Sequence, residues 1–343
     1  MPSKKTRAIL VGCGGISGAW TGSNNVKKRV DIVGFVDINK KAAVARAADS
    51  GSASAIAGTD LQTMIKATSP DVVFDCTVPE AHCEVTLTAL KNGCHVLGEK
   101  PMADSMANAR KMRAAAKKAG KIYSVIQNRR YTPEIRSLCK FINSGAIGDI
   151  TTVQSNFFIG AHFGGFRDKM KHALLLDMSI HTFDAARLIS GADPRSVYCH
   201  EWNPPKSWYA HGASAVAIFQ MTNNVVYTYE GSWCSEGCST TWEADWRIIG
   251  TKGSILWNGA DNFTVEVLKK QDGFVSSMKP RSFPVKCPAK LNGGHDGVIG
   301  AFLDAINDGS DPETVCTDNI KSLSMVHGAI ASAKAHKRIT IRN

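Results

Sequence analysis

Over the first 125 positions, apolar residues come in short continuous runs. Each run is followed by a small-residue or polar turn and then by a stretch with helical spacing. Ala8-Ile9-Leu10-Val11, residues 32–36, 72–76, Val96-Leu97-Gly98 and 122–126 show little polar alternation, the pattern of strands buried on both faces. Between them, 60–67, a segment ending at Gly93, and 105–119 closed by Gly120 read as helices, with glycine where a helix C′ residue belongs. Strand and helix in regular alternation predict an α/β fold with a parallel, doubly wound sheet.

Beyond residue 125 the pattern changes. A helix is predicted over 133–144, stopped by Gly145. Strand signals then dominate at 150–158, 197–202, 213–221, 225–233, 242–249, 254–257 and 263–268. Asn223-Asn224 and Thr251-Lys252-Gly253 fit hairpin turns, so this half predicts a large, open, mostly antiparallel sheet in an α+β domain. One helix interrupts it, spanning 174–188 and ended by Gly191 and Pro194. Two more, near 294–307 and 318–336, close the chain. The expected division is a dinucleotide-binding domain over 1–125 and a substrate-binding and oligomerisation domain over 126–343.

The turns carry the chemistry. The first strand runs into Gly12-Cys13-Gly14-Gly15-Ile16-Ser17-Gly18 and then a helix-compatible segment. Gly12 permits the tight turn, and Gly14 lets a pyrophosphate approach the backbone. Gly15, Ile16 and Ser17 lead into a helix N-terminus, whose N–H groups favour an anion. Ser17 stands where the fingerprint has glycine or alanine. The second strand ends at Asp37, twenty residues after Ser17, where a carboxylate would accept from the adenosine ribose hydroxyls. It would also repel a 2′-phosphate, so NAD is expected, with Lys40 and Lys41 leaving NADP possible. The turn containing Thr77, Pro79 and His82 follows the third predicted strand and is expected on the cofactor side.

The stretch that organises the rest is Val96-Leu97-Gly98-Glu99-Lys100-Pro101. Glu99 and Lys100 fall at a strand's carboxyl end, where open α/β sheets bind ligands, and a cation there can polarise a substrate oxygen. On the helix over 174–188, Asp177 and His181 are four residues apart and share a face, with Asp184 one turn on. A histidine, with an ordinary pKa near ~6.5, suits removal of a hydroxyl proton during hydride transfer. Trp233 and Trp242 are candidates for lining a sugar pocket.

Composition limits the alternatives. With 343 residues the chain suits two domains. No run of eighteen apolar residues suggests a membrane span, and residues 1–7 lack the apolar core of a signal peptide. The ten cysteines are scattered, which suggests reduced thiols and a cytoplasmic protein. Cys234 and Cys238 have no second pair with matching spacing, so no metal is expected. The net charge of +11 is spread out rather than interleaved with aromatics. That pattern argues against nucleic acid and fits attraction of an anionic cofactor.

Together these residues resemble the glucose–fructose oxidoreductase, inositol dehydrogenase and rhizopine-catabolism (Gfo/Idh/MocA) family. The resemblance rests on the turn at 12–17, Thr77-x-Pro79-x-x-His82, and 89–101 ending in Glu99-Lys100-Pro101. It continues in Asn128-Arg129-Arg130-Tyr131-x-Pro133, 145–149, Asp177-x-Ser179-x-His181-x-x-Asp184 and Gly250-Thr251-Lys252-Gly253. It implies an NAD-dependent dehydrogenase acting on a sugar, cyclitol or polyol. Lys100 would bond the reacting oxygen, His181 would be the acid/base, Asp177 would orient the substrate, and Arg129 would lie near nicotinamide or substrate. It also implies a homodimer or homotetramer joined through the outer face of the large sheet. Two other functions occur on this fold: cleavage or epimerisation through transient redox on a retained NAD, and NAD sensing without turnover. Where many relatives have a glycine-rich run before the aspartate, this chain has His172-Ala173-Leu174-Leu175-Leu176.

Overall fold

The structure is a computed structural model that describes residues 5–52, 54–286 and 293–342. The chain divides into two units, Met1–Tyr131 with Ala289–Leu323, and Thr132–Pro288 with Ser324–Asn343.

In the first unit the elements run β1 (Thr6–Val11), α1 (Ser17–Thr21), α2 (Asn24–Arg29), β2 (Val30–Val36), α3 (Lys40–Ser50), β3 (Ile56–Gly58), α4 (Leu61–Thr68), β4 (Val72–Asp75), α5 (Pro79–Lys91), β5 (His95–Gly98), α6 (Met106–Ala119) and β6 (Tyr123–Val125). The strands form one parallel sheet in the order β3-β2-β1-β4-β5-β6. This is the doubly wound arrangement expected, with its switch point between β1 and β4. The continuous apolar runs feed both faces. Ile9, Val11, Val73 and Val96 enter one core with Met64, Leu90 and Met112. Ala8, Leu10, Val72, Phe74 and Leu97 enter the other with Trp20. The helical segment after Ser17 is two short helices, because Ser23 leaves the helical path and caps Val26 N–H.

A linear division at residue 125 places 289–323 with the second half, whereas the structure includes them in the first unit. Val298, Ile299, Phe302 and Leu303 of the helix Gly294–Asp308 complete the core that contains Trp20 and Phe74. Cys316, Ile320 and Leu323 complete the other. A helical period shows which face is apolar, but not which core that face fills.

In the second unit, α7 (Pro133–Asn143) precedes β7 (Ile150–Phe158), and α8 (Ser179–Ser190) precedes β8 (Pro194–Trp202). Then come β9 (Ser214–Met221), β10 (Val226–Ser232), β11 (Asp245–Gly250), β12 (Gly253–Trp257), β13 (Phe263–Lys270), β14 (Ser277–Arg281) and β15 (Ile339–Thr340). They form one sheet in the order β14-β13-β12-β11-β7-β10-β9-β8-β15. Every described pair is antiparallel except β7 with β10. Asn223 and Asn224 both have φ 57°, the left-handed pair that a tight hairpin favours. Alternate residues of β8–β10 face a core where Phe183 of α8 meets Phe219 and Tyr229 edge-on at 4.9 and 5.1 Å. On the opposite face Tyr198, Trp202, Val216, Ile218 and Val226 are exposed. Among the described residues no helix is long and apolar enough to cross a membrane.

Candidate active site

The glycine turn leaves β1 with Gly12 at φ +86°, and a Cβ there would lie 2.6 Å from the Cys76 backbone. Gly12 is thus required by the protein's own packing. Gly14 and Gly15 are not: their φ values are not left-handed, and a Cβ on either would meet nothing within 4 Å. The room above them suits a dinucleotide pyrophosphate close to the backbone. Ile16 precedes α1 and is exposed, while Ser17 is buried and donates its hydroxyl to Gly14 O at 2.6 Å. Its small side chain therefore closes the turn from inside. Asp37 is tied to the same turn. Its Oδ2 accepts Cys13 N–H and its Oδ1 accepts Asn39 N–H, both at 2.8 Å. The carboxylate is therefore fixed at the rim with lone pairs left for a ribose diol. Arg46 also donates to Gly14 O at 3.2 Å, a cation on this turn that the sequence did not single out. The turn and its donors fit the dinucleotide.

At the end of β4, Thr77 and His82 do not both face outward as expected. His82 is 1% exposed, and its Nδ1 lies 3.0 Å from Asp75 Oδ2, with Thr77 Oγ1 donating to Asp75 Oδ1 at 2.5 Å. Pro79 opens α5 at its first turn and sets the angle at which His82 turns inward. Asp75 forces this arrangement, since a carboxylate buried at a strand end needs donors. Burial opposes charge on both groups. The Asp75 carboxylate nonetheless draws His82 above its ordinary value, and His82 and Thr77 hold Asp75 below its own. His82 therefore supports the turn from below through Nδ1, and its Nε2 is buried with no hydrogen-bond partner among the described residues.

His82→Leu should cost about 3–5 kcal/mol of stability, because it strands a buried carboxylate. The raised histidine contributes most below its unfolded value of ~6.5, and the depressed aspartate most above ~3.9. The difference in unfolding free energy between wild type and variant should thus peak between those values. It should shrink as pH rises through the folded-state value of His82. Denaturant melts across that range check it, and a difference that does not vary with pH would mean the pair is not ionised.

β5 delivers Glu99 and Lys100 at the same, carboxyl, end of the sheet. Glu99, expected to touch the cofactor, is 6% exposed. Its Oε1 accepts the Trp20 indole N–H at 2.8 Å and lies 3.6 Å from His295 Nε2, while its Oε2 accepts Lys100 N–H at 3.2 Å. Glu99 is thus an anchor for the turn, because a buried indole and an imidazole converge on it. Lys100 is half-buried, and its peptide bond to Pro101 is cis. After β6, Arg129 is half-buried on the short helical turn Asn128–Tyr131, whose Arg130 is buried and paired with Asp318 at 2.9 Å.

In the second unit, the predicted helix over 174–188 is divided. Leu174–Met178 forms one turn of π-helix before α8 begins. Ser179 Oγ reaches back to Leu174 O at 3.1 Å. Asp177 therefore sits in a wider turn than the four-residue spacing implies, and such turns recur at functional sites. Asp177 is half-buried and His181 is 8% exposed. Asp184, expected one turn along the same face, is buried 4.0 Å from Arg187 and belongs to the packing of α8. The sequence reading missed Arg167, whose Nε donates to Asp177 Oδ2 at 2.6 Å. The aromatic-glycine run Phe163-Gly164-Gly165-Phe166 just before it was the available signal. Trp233 is 2% exposed, stacked 6.0 Å from Tyr209 and tilted against Phe163 at 5.2 Å. It lies behind the wall rather than on it. Trp242 is exposed.

Comparison with known proteins identifies the family and the fold. A family model described as an oxidoreductase family with an NAD-binding Rossmann fold matches residues 6–127. The GFO/IDH/MocA C-terminal domain model matches residues 135–256. The chain is similar to D-glucoside 3-dehydrogenase of Escherichia coli, 32% identical over 209 residues that make up 59% of each chain. It is also similar to 1,5-anhydro-D-fructose reductase of Ensifer adhaerens, 24% identical over 323 residues and 92% of each chain. A solved structure of levoglucosan dehydrogenase in complex with NADH and levoglucosan has a TM-score of 0.83 at 20% identity. It covers 99% of this chain and 100% of that one. At that identity the likeness establishes the fold.

Proposed function

The chain belongs to the GFO/IDH/MocA family of NAD-binding oxidoreductases, and from that premise we propose that it oxidises a secondary alcohol of a sugar, cyclitol or polyol, or reduces the corresponding ketone. One observation carries the reading. The glycine turn, Asp37, Thr77 and Lys100 all leave the carboxyl ends of adjacent parallel strands of one sheet. A ligand held by the first three thus extends along the edge that presents the lysine.

NAD, when bound, supplies the hydride acceptor or donor. The residues do the rest. The backbone at Gly14 and Gly15 receives the pyrophosphate on a turn shaped by Gly12 and Ser17, and Asp37 holds the ribose diol. Lys100 stabilises developing alkoxide charge on the reacting oxygen. His181 takes the hydroxyl proton on its imidazole in oxidation and returns it in reduction. Asp177 fixes the hydroxyl arrangement, and Arg129 borders the nicotinamide end. The exposed apolar row Tyr198, Val216 and Ile218 supports self-association of two or more copies through the outer face of the large sheet. Sedimentation of the native protein tests this, and a monomer at micromolar concentration would overturn it.

The activity is tested by offering sugars, sugar acids and cyclitols with NAD and with NADP and following reduced nucleotide. Free NADH should form with at least one substrate, NADP should work less well, and Asp37→Ser should narrow that gap. Substrate consumption without free NADH would replace this reading with transient redox. Nucleotide binding without any turnover would replace it with a sensor.

A further inference from the structure

In the second unit, Arg167 is held on three sides. Its Nε donates to Asp177 Oδ2 at 2.6 Å, and its guanidinium carbon lies 4.9 Å from the Phe163 ring centre and 4.8 Å from that of Phe166. Rings on its faces and a carboxylate on one edge remove most of the side chain's freedom. The edge that is left carries the terminal N–H groups. Among the described residues, no acceptor meets them, and the side chain is 33% exposed. Holding a long cation this rigidly is costly in entropy if its only role is to face water.

Behind Phe163, Trp233 lies 5.2 Å from that ring and is 2% exposed, so it backs the phenyl face without reaching a ligand. The acids nearby are committed or set back. Asp177 is on Arg167 Nε, and Asp168 helps to push the neighbouring Tyr209 hydroxyl, already raised by burial, up to about 12. The loop thus presents one oriented cation between two exposed phenyl faces, while Asp168 Oδ1, which has no hydrogen-bond partner among the described residues, is buried away from solvent.

We propose that Arg167 is a specificity-determining residue and that the preferred substrate is a sugar acid, whose carboxylate pairs with its terminal N–H groups while Asp177 receives a hydroxyl. This rests on the reading of Asp177 as a substrate-facing residue. A carboxylate fits better than a phosphate. The planar fork matches two coplanar oxygens, and with Asp177 already beside it a single guanidinium balances a monoanion more nearly than a dianion.

The test uses probe pairs that differ only at one carbon: glucose and glucuronate, galactose and galacturonate, mannose and mannuronate, each beside the corresponding 6-phosphate. Binding to the complex of the enzyme with NADH is measured by calorimetry, so the result does not depend on turnover. In at least one set the uronate should bind on the order of ten- to a hundredfold more tightly than the neutral sugar, as for hydrogen bonds to a charged group. Arg167→Gln should abolish that preference, bringing the uronate's affinity down to that of the neutral sugar on the same variant, and Arg167→Lys should restore part of it.

The proposal is overturned if the neutral sugar or the phosphate binds as well as the uronate in every set, including the case in which none binds. It is also overturned if Arg167→Gln weakens neutral and acidic members alike, which would make the arginine a positioning residue for Asp177 only. Failure of the oxidoreductase reading looks different: uronate preference would persist without any exchange between NAD and NADH.

Discussion

Lys100→Met is expected to lower turnover on the order of 10²–10³-fold, the usual loss when one charge-stabilising donor is removed. NAD affinity and folding should be nearly unchanged. The structure gives the reason for the separation. The turn bearing Lys100 is fixed by main-chain and neighbouring groups: Lys100 N–H donates to Glu99, and Glu99 is held by Trp20. The pyrophosphate and ribose ends of the cofactor belong to the glycine turn and Asp37, on β1 and β2. The ammonium should therefore act on charge that appears only as the alkoxide develops, and that affects the transition state more than the ground state. Lys100→Arg should rescue poorly, because a planar fork replaces a compact point charge. Fluorescence titration with NADH and steady-state kinetics on the same preparations decide it. If Lys100→Met loses nucleotide binding while Lys100→Arg is fully active, the lysine holds the cofactor instead, and the chemistry lies elsewhere.

How much of this was legible in the sequence depends on the range over which each residue acts. The parallel sheet was legible because two-sided burial leaves a local mark, the unbroken apolar run, on every strand. The glycine turn and Asp37 were legible because a backbone turn and the next strand end have a fixed separation along the chain. The return of Val298 and Phe302 to the first unit's core was not, since helical periodicity carries no address. The parallel pairing of β10 with β7 was equally hidden behind hairpin turns. α3 was missed because only Ala43 of its residues is buried, so it has little apolar stripe to read.

At the site, the sequence placed residues at the right strand ends but not their orientations. Glu99 and His82 were expected on the cofactor, and both point inward, toward Trp20 and Asp75. A polar residue at a strand's carboxyl end can serve a ligand or another buried polar group. Only the partner's position decides, and Trp20 lies 79 residues from Glu99 along the chain. Arg167 escaped for a related reason: the Phe163-Gly164-Gly165-Phe166 run marks its loop, but its pairing with Asp177 ten residues later leaves no local trace. The π-helical turn at Leu174–Met178 was hidden because its residues are those of any buried helix.

His181→Ala should lose on the order of 10²–10⁴-fold in turnover, as expected when a general base is removed. α8 should survive the change. Its start is fixed independently by Ser179, which is buried with its Oγ 3.0 Å from Tyr229 Oη, and Phe183 packs edge-on against Tyr229 at 5.1 Å. Truncating one imidazole leaves that frame intact, so the loss should appear in turnover rather than in melting temperature or in NADH affinity. In oxidation only the neutral imidazole can accept a proton. The wild-type rate should therefore rise with pH as His181 loses its charge, and the variant's residual rate should lack that ascending limb. Asp177→Asn tests the neighbouring role separately: it keeps the shape and should mainly raise KM, because the carboxylate orients the substrate and does not carry the proton. The opposite division, with His181→Ala fully active and Asp177→Asn lacking the ascending limb, would make the carboxylate the base and reduce the histidine to packing.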